Sequence, residues 1–180
     1  ANSFLNKYGV PELVINNAGS GAFYEWEKFP EQEILNQINL LFMAPVILMR
    51  VFAPEMAKKE KGTFVNLSSL AVLYPLPYMP LYNAGKAALS AFTESMILEY
   101  GDFPKFVDFR MGDIRSEFND CVSKRPPAEW KSSMKNAWNQ IEKQLKSSPI
   151  PEKGAKQIAD VVLRNESGVF YGGGFFQSKV

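Results

Sequence analysis

Two tyrosine–lysine pairs in this sequence have a spacing that could support proton transfer. Tyr82 and Lys86 are four residues apart, and so are Tyr24 and Lys28. On a helix this spacing places both side chains on one face. An ammonium group beside a phenol favours the phenolate and lowers a phenol pKa from about 10, which brings proton transfer closer to neutral pH. Because the spacing occurs twice, it does not identify a site by itself.

The surroundings distinguish the two pairs. Ser69 lies before Tyr82 and just past the end of a predicted strand, whereas Pro30 follows closely after Lys28. The segment Asn16–Gly19, with the sequence Asn-Asn-Ala-Gly, leaves another predicted strand. Open parallel sheets bind ligands at the carboxyl ends of their strands, so these segments are candidate site segments. Taken singly, each is better explained as an ordinary turn.

Composition excludes several kinds of chemistry. The 180-residue chain has no histidine and one cysteine, Cys121. Catalytic pairs of Ser or Cys with His, imidazole zinc sites and an internal disulfide are therefore excluded. Twenty Lys and Arg against nineteen Asp and Glu give a formal charge of +1, which provides no field for binding nucleic acid or an anionic membrane. We expect a small-molecule partner, proton chemistry on Tyr, Lys, Ser or carboxylates, and a Cys121 thiol that is at least half buried.

Short apolar strands alternate with longer helical patterns, which is typical of an α/β fold with a doubly wound parallel sheet and helices on both faces. We expect one domain over residues 1–180. The predicted strands are Leu13–Asn16, Thr63–Leu67, Phe106–Phe109 and Gly168–Tyr171. The predicted helices lie within Glu31–Lys61, with Pro45 at a helix start or a kink, over Pro80–Tyr100 and over Gly154–Leu163.

Two further segments bear on access to the site and on location. Residues 113–147 follow a strand end and contain a Pro-Pro pair, Trp130 and Trp138, as a substrate lid could. The longest apolar stretch, Leu40–Met49, is shorter than the roughly 20 residues that cross a bilayer. The N-terminus shows no apolar signal core. We therefore expect no membrane span and a cytoplasmic protein.

Four short motifs occur in a fixed order along the chain. They are Asn-Asn-Ala-Gly at 16–19, Ile-Asn-Leu at 38–40, Asn-Leu-Ser-Ser at 66–69 and Tyr-x-x-x-Lys at 82–86. Together they resemble the short-chain dehydrogenase/reductase family in its common single-domain form. The resemblance implies a Rossmann-like fold, NAD or NADP as cofactor, and a small carbonyl or alcohol substrate.

The resemblance also implies a role for each matching residue. Tyr82 would give or take the proton, Lys86 would bond the nicotinamide ribose and lower the tyrosine pKa, and Ser69 would hold the substrate oxygen. Asn39 would support a water that leads to the lysine. The implied cofactor contacts are Asn17, Ala18, Gly19, Tyr82, Lys86, Gly112, Ile114 and Ser116. None of these roles requires a metal.

The chain departs from the family's pattern in two places. Met111 and Ser116 stand where the family has proline and threonine, although a serine hydroxyl offers the same donor and acceptor. The glycine-rich strand-turn-helix that receives the pyrophosphate is missing from this sequence. Tyr8–Leu13 looks like the approach to the family's fourth strand. We therefore expect a C-terminal portion of the fold that lacks roughly 60 or more residues, its N-terminal βαβ units.

We interpret the chain as part of an oxidoreductase that transfers a hydride between NAD(P)(H) and a carbonyl or secondary alcohol, with an apolar ketone favoured by its aromatic loops. Two alternatives share the fold. A cofactor-independent lyase, as in the related halohydrin dehalogenases, would carry arginine in place of Lys86. A non-catalytic binding protein would be expected to have lost Tyr82 or Lys86. The apolar surface of Leu40–Met56 and the small residues of Ala84–Ser95 predict a homodimer or homotetramer.

Overall fold

The structure is a computed structural model, and it describes residues 1–174 and residue 177. The strands are β1 (Leu13–Asn16), β2 (Ala22–Phe23), β3 (Thr63–Ser69), β4 (Lys105–Met111), β5 (Ser123–Lys124) and β6 (Gly168–Gly172). The helices are α1 (Asn2–Tyr8), α2 (Glu31–Ile38), α3 (Ala44–Lys58), α4 (Pro80–Tyr100), α5 (Ser132–Lys146) and α6 (Pro151–Arg164), with a π-helical segment, Asn39–Met43, between α2 and α3. Short 3₁₀ turns lie at Trp26–Lys28, Leu70–Val72, Glu117–Asn119 and Pro127–Glu129.

Four parallel strands form the main sheet in the order β1-β3-β4-β6. The register aligns Asn16 with Asn66 and Ser69 with Met111. Because neighbouring strands run in the same direction, their carboxyl ends lie along one edge of the sheet. The four predicted strands are confirmed, with ends that differ from the predicted ones by at most two residues.

Helices cover both faces of this sheet. Phe64 and Phe106 stack with their ring centroids 5.2 Å apart and belong to a core shared with α3 and α4. Val65 and Val107 point to the other face, where they pack with Val161 of α6. Successive residues of a strand point to opposite faces, so the two cores confirm the predicted doubly wound α/β arrangement.

Residues 31–58 form one continuous helical stretch of 28 residues. Pro45 lies in the first turn of α3, and it lacks the N–H that would bond to the carbonyl of Leu41. The turn before it is accordingly widened to π-helical geometry. The prediction that Pro45 marks a helix start or a kink is confirmed.

The same stretch is long and apolar enough, by length and composition alone, to cross a membrane. Its most apolar window has a mean hydropathy of 1.7, and 33% of that window is buried in the structure. Core helices of soluble proteins meet the same criterion. Since the helix continues through Pro45, the shortness of Leu40–Met49 no longer argues against a span, and the expectation of no membrane span stays a prediction.

Residues 113–147, proposed above as a lid, are joined to the segment after β1 by a second, two-stranded sheet. β5 pairs in parallel with β2, with Phe23 opposite Lys124. The hydroxyl oxygens of Tyr24 and Ser123 lie 2.9 Å apart. This small sheet was not predicted from the sequence.

Candidate active site

The helix α4 carries Tyr82 and Lys86 to the carboxyl edge of the sheet. Pro80 occupies its first turn, where a missing N–H costs nothing and the fixed backbone angle suits a helix. Gly85 allows α4 to approach the π-helical segment, because a Cβ at this position would lie 2.9 Å from the Cβ of Leu41. The prediction of a helix over Pro80–Tyr100 is confirmed to the residue.

Ser69 is the last residue of β3 and faces the same edge. Its Oγ accepts a hydrogen bond from the backbone N–H of Ala71 at 3.1 Å, which caps the 3₁₀ turn that follows. The hydroxyl also interacts with the phenol of Tyr82. The structure therefore brings a serine hydroxyl and a tyrosine phenol together at a strand end, as the sequence predicts.

Burial raises the pKa of the Tyr82 phenol above its ordinary value of 10.0. The interaction with Ser69 acts in the opposite direction, and the negative charge of Asp113 raises the pKa further. The nearby Lys86 ammonium does not reverse this, since its Nζ lies 5.9 Å from the Tyr82 ring centroid and donates to another group. The predicted lowering of the Tyr82 pKa is therefore wrong for the protein by itself.

Lys86 is a buried cation, with 5% of its side chain exposed. Its Nζ donates a hydrogen bond of 2.6 Å to the carbonyl of Leu67 in β3. Burial lowers the Lys86 pKa from 10.5 to about 8, and the negative charge of Asp108 opposes that shift. A Cβ at Gly19 would lie 3.5 Å from Nζ, so the turn after β1 runs against this ammonium.

Asn39 is the first residue of the π-helical segment and is exposed. Its carbonyl accepts from the N–H of Ala44, five residues on, which is the hydrogen bond of a π-helix. Asn39 lines a cavity of about 530 Å³. The other lining residues are Ser20, Gly21, Glu33, Asn36, Leu40, Cys121 and Ser123. Cys121 is exposed, so the expectation of an at least half-buried thiol is wrong.

The predicted cofactor-binding residues outside α4 follow the ends of β1 and β4. Asn17, Ala18 and Gly19 are exposed after β1. Gly112 follows β4, and its N–H donates to the carbonyl of Gly172 at 2.9 Å. A Cβ on Gly112 would lie 2.6 Å from the Gln177 Oε1 and 3.0 Å from that carbonyl oxygen, so the close approach of these groups favours glycine here.

Ile114 and Ser116 make contacts within and beside the lid segment. Ile114 lies against Gly154 of α6, and the Ser116 Oγ accepts from the N–H of Phe118 at 3.4 Å. In residues 1–174 and 177, no hydrogen bond links Asn39, Ile114 or Ser116 to Tyr82 or Lys86. The interactions described above link Ser69, Tyr82, Lys86 and Gly19.

A buried polar network that was not predicted from the sequence fixes the strand ends relative to α4. Asn16 Nδ2 donates to Asn66 Oδ1 at 2.6 Å, and Asn66 Nδ2 donates to Thr93 Oγ1 at 2.8 Å. Buried amides are retained where their hydrogen bonds are satisfied. The available signal was an asparagine within an apolar strand, Val65-Asn66-Leu67. Asp113, whose charge acts on Tyr82, was missed as well.

An apolar cluster packs around Tyr82 on the side of the lid segment. The ring centroids of Tyr82 and Phe118 lie 5.7 Å apart. The Phe23 ring lies 4.9 Å from that of Trp138 and 5.3 Å from that of Trp130. The buried members of the cluster are Phe23, Met79, Val122, Trp130, Met134 and Trp138. The phenol therefore has polar groups on its strand side and aromatic groups on its lid side.

Comparison with known proteins identifies the family of this chain. The sequence model of the family described as short chain dehydrogenase matches residues 2–106. The chain therefore belongs to the short-chain dehydrogenase family, and the resemblance stated from the motifs is confirmed.

Individual relatives give the extent of the similarity. A 3-ketodihydrosphingosine reductase of Bacteroides thetaiotaomicron is 28% identical over 165 residues, which cover 89% of this chain and 61% of that protein. A short-chain dehydrogenase from Streptomyces avermitilis has the same fold, with a TM-score of 0.81 at 22% identity over 99% of this chain and 65% of the other. An L-sorbose reductase from Gluconobacter frateurii, solved with NADPH and L-sorbose, matches 63% of this chain and 43% of its own with a TM-score of 0.57 at 27% identity. The chain thus spans about three-fifths of the length of the first two proteins.

Proposed function

We propose that the full-length protein is an oxidoreductase that transfers a hydride between NAD or NADP and a carbonyl or secondary alcohol. The observation that carries this proposal is the grouping of the Ser69 hydroxyl, the Tyr82 phenol and the buried Lys86 ammonium at the carboxyl edge of the sheet. Family membership supports it. Lys86 and Tyr82 are both present, which disfavours a cofactor-independent lyase and a non-catalytic binding protein.

The residues around Lys86 suit a nicotinamide dinucleotide. The Lys86 ammonium has three N–H donors and, in the described part of the chain, uses one of them on Leu67. The exposed turn Asn17–Gly19 runs past this ammonium, and Gly112 begins the loop after β4 on the same edge. We assign the ribose of the cofactor to Lys86 and its remaining contacts to these loops, including Ile114 and Ser116. When bound, the cofactor supplies or accepts the hydride, and the NADPH held by the L-sorbose reductase supports this assignment.

Tyr82 acts as the acid in the reducing direction. Its raised pKa keeps the phenol protonated near neutral pH, which is the form that donates. Ser69 and Tyr82 both donate hydrogen bonds to the carbonyl oxygen of the substrate, and the Tyr82 proton moves to that oxygen as negative charge develops on it. The Lys86 ammonium then stabilises the phenolate. Asn39 lines the cavity described above, and it holds a water there that leads to Lys86.

The substrate is an apolar ketone or the corresponding alcohol. The apolar cluster that contains Phe118, Trp130 and Trp138 packs against the lid side of Tyr82, which supports an apolar substrate. Residues 113–147 form the lid over this site, and none of the proposed roles requires a metal. In residues 1–174 and 177, no group of three or more potential metal ligands of the His, Cys, Asp or Glu type occurs.

The test is direct transfer of label by the full-length protein. The protein is incubated with NADH or NADPH that carries deuterium at the transferable position and with an aromatic ketone. We expect deuterium on the carbinol carbon of the product and quenching or enhancement of cofactor fluorescence on binding. Binding of neither cofactor, with no label in the alcohol, would contradict the proposal. Binding of one cofactor in preference identifies NAD or NADP.

The protein is further proposed to be a cytoplasmic homodimer or homotetramer. Leu35, Met43 and Ile47 of the 31–58 stretch are 59%, 39% and 52% exposed, and Leu98 of α4 is 86% exposed. Apolar side chains gathered on two neighbouring helices favour an interface between identical subunits. Sedimentation of the full-length protein should show a dimer or tetramer, and a monomer at all micromolar concentrations would contradict this.

A further inference from the structure

Asp108 is a fully buried carboxylate in the middle of the sheet, with 0% of its surface exposed. Its Oδ2 accepts hydrogen bonds from Ser90 Oγ at 2.7 Å and from Arg110 Nε at 2.9 Å. Its Oδ1 accepts from Ser68 Oγ. A buried charge is costly unless it is paired and hydrogen-bonded. Here three donors meet the two oxygens, an arrangement that suits the ionised carboxylate.

The partners of Asp108 are neighbours of the proposed catalytic residues. Ser90 lies one helical turn after Lys86 on the same face of α4. Ser68 lies between Leu67, whose carbonyl accepts from the Lys86 Nζ, and Ser69. The carboxylate therefore ties together the two elements, β3 and α4, that carry the site.

We propose that Asp108 is a positioning residue for the hydride-transfer site, which holds Lys86 in its charged form and fixes the end of β3 against α4. The consequences for catalysis rest on the proposed function. The electrostatic effect of Asp108 on Lys86 does not depend on turnover and can be measured without it. Burial lowers the Lys86 pKa to about 8, and Asp108 is the charged group that raises it. Without that carboxylate, the ammonium would lose its proton closer to neutral pH.

The other charged groups around this pair set the sign of the effects. Arg110 lies beside Asp108 and is paired with Glu94 of α4 as well. It also donates to the Tyr171 hydroxyl of β6 at 3.2 Å. From the turn after β1, the uncharged Gly19 lies beside Lys86. Removing Arg110 therefore leaves the negative charge of Asp108 less compensated and favours the charged form of Lys86.

The experiment compares Asp108→Asn, Arg110→Met and the control Asp160→Asn in the full-length protein. Asp160 is an exposed carboxylate of α6 that pairs with Lys156. The pH profile of ketone reduction is measured for each variant over the range in which Lys86 loses its proton. In Asp108→Asn, the high-pH limb of the kcat profile should move to lower pH by about one unit. At a pH above that limb, kcat should then be roughly tenfold lower than in the parent. In Arg110→Met the limb should move to higher pH, and in Asp160→Asn it should stay.

A second readout separates this inference from the proposed function. The Cε resonance of Lys86 in protein with ¹³C-labelled lysine, assigned with a Lys86→Met variant, reports its protonation by NMR without any substrate. We expect the Lys86 titration to shift to lower pH in Asp108→Asn and to higher pH in Arg110→Met. A merely structural Asp108 would lower the melting temperature and leave both titrations where they are in the parent, which would overturn the inference. If Asp108→Asn fails to fold, an unmoved titration in Arg110→Met has the same consequence. Shifted titrations in a protein that reduces no ketone would contradict the proposed function alone.

Discussion

The two tyrosine–lysine pairs of this chain share a spacing and differ in everything around it. Tyr82 and Lys86 lie on the continuous helix α4, beside Ser69 and the carbonyl of Leu67. Tyr24 precedes a short 3₁₀ turn that ends at Lys28. The Tyr24 hydroxyl lies 2.9 Å from the hydroxyl of Ser123, and Lys28 forms an ion pair of 2.7 Å with Glu25. The first pair belongs to the proposed active site, and the second belongs to the contact between the lid segment and the rest of the fold.

The difference shows what a four-residue spacing needs before it carries chemistry. A helix must place both side chains on one face, and a strand end must supply the third group. Burial must also shield the ammonium from water, so that its charge acts on the phenol without screening. Lys86 is buried, whereas the Lys28 side chain is 41% exposed and its charge is screened by water. The comparison therefore predicts that equivalent substitutions in the two pairs have unequal effects.

Removal of the two ammonium groups should give the largest difference. Lys86→Met keeps much of the side-chain volume and removes the charge that stabilises the Tyr82 phenolate. We expect a loss of about 10²–10⁴-fold in kcat/KM for ketone reduction, the size of an acid–base contribution. Lys28→Met should leave kcat/KM close to that of the parent. The measurement is steady-state kinetics on the full-length variants, with circular dichroism to establish folding. Similar losses of kcat/KM in Lys86→Met and Lys28→Met would contradict the comparison.

The pH dependence of stability tests the role of Glu25, the ion-pair partner of Lys28. The close ion pairs with Lys131 and then Lys28 lower the Glu25 pKa from 4.5 to about 2. A carboxylate whose folded pKa is lowered stabilises the protein above its unfolded pKa of 4.5, and the contribution is lost as the pH falls towards 2. Glu25→Gln should therefore lower the melting temperature at pH 7 by more than it does at pH 3. The matched control is Glu55→Gln, which removes an exposed pair with Lys58. A pH-independent effect of Glu25→Gln would contradict this role.

Tyr24→Phe should produce the smallest effect. The ring keeps its contact with Phe29, at a centroid distance of 5.2 Å, and loses its hydrogen bond to Ser123. One such bond is worth about 0.5–1.5 kcal/mol of stability, and ketone reduction should stay at the parent level. Chemical denaturation and steady-state kinetics check the two halves of this prediction. A loss of turnover as large as that of Lys86→Met would place Tyr24 in the active site.

Local patterns in the sequence predicted the elements that carry the Tyr82 site. The helix Pro80–Tyr100 has a proline in its first turn and Gly101 after its end, and the structure gives it the same bounds. The strand Leu13–Asn16 is an apolar run ended by polar residues and is likewise reproduced. Family membership followed from motifs whose residues lie at strand ends and on one helix face.

The contact between β2 and β5, around Tyr24, could not be predicted from local sequence patterns. β2 and β5 have two residues each and lie about a hundred residues apart, so no periodicity marks their pairing. The π-helical turn at Asn39–Met43 follows from one missing N–H within an otherwise helical pattern. The raised pKa of Tyr82 depends on burial by Phe118 and its neighbours, which comes from tertiary packing. Asp108 shows as a single charge within an apolar strand, and its partners are Arg110 of the same strand, Ser68 of β3 and Ser90 of α4.

The central claim, that Tyr82 is the acid of hydride transfer, is tested most directly by single-turnover reduction of an aromatic ketone with saturating cofactor. Tyr82→Phe is compared with Tyr100→Phe, which lies on the same helix and keeps its ring 5.4 Å from that of Phe106. We predict that both variants fold and bind the reduced cofactor as the parent does. Hydride transfer should fall by about 10²–10⁴-fold in Tyr82→Phe and stay unchanged in Tyr100→Phe. Transfer at the parent rate in folded, cofactor-bound Tyr82→Phe would contradict the account.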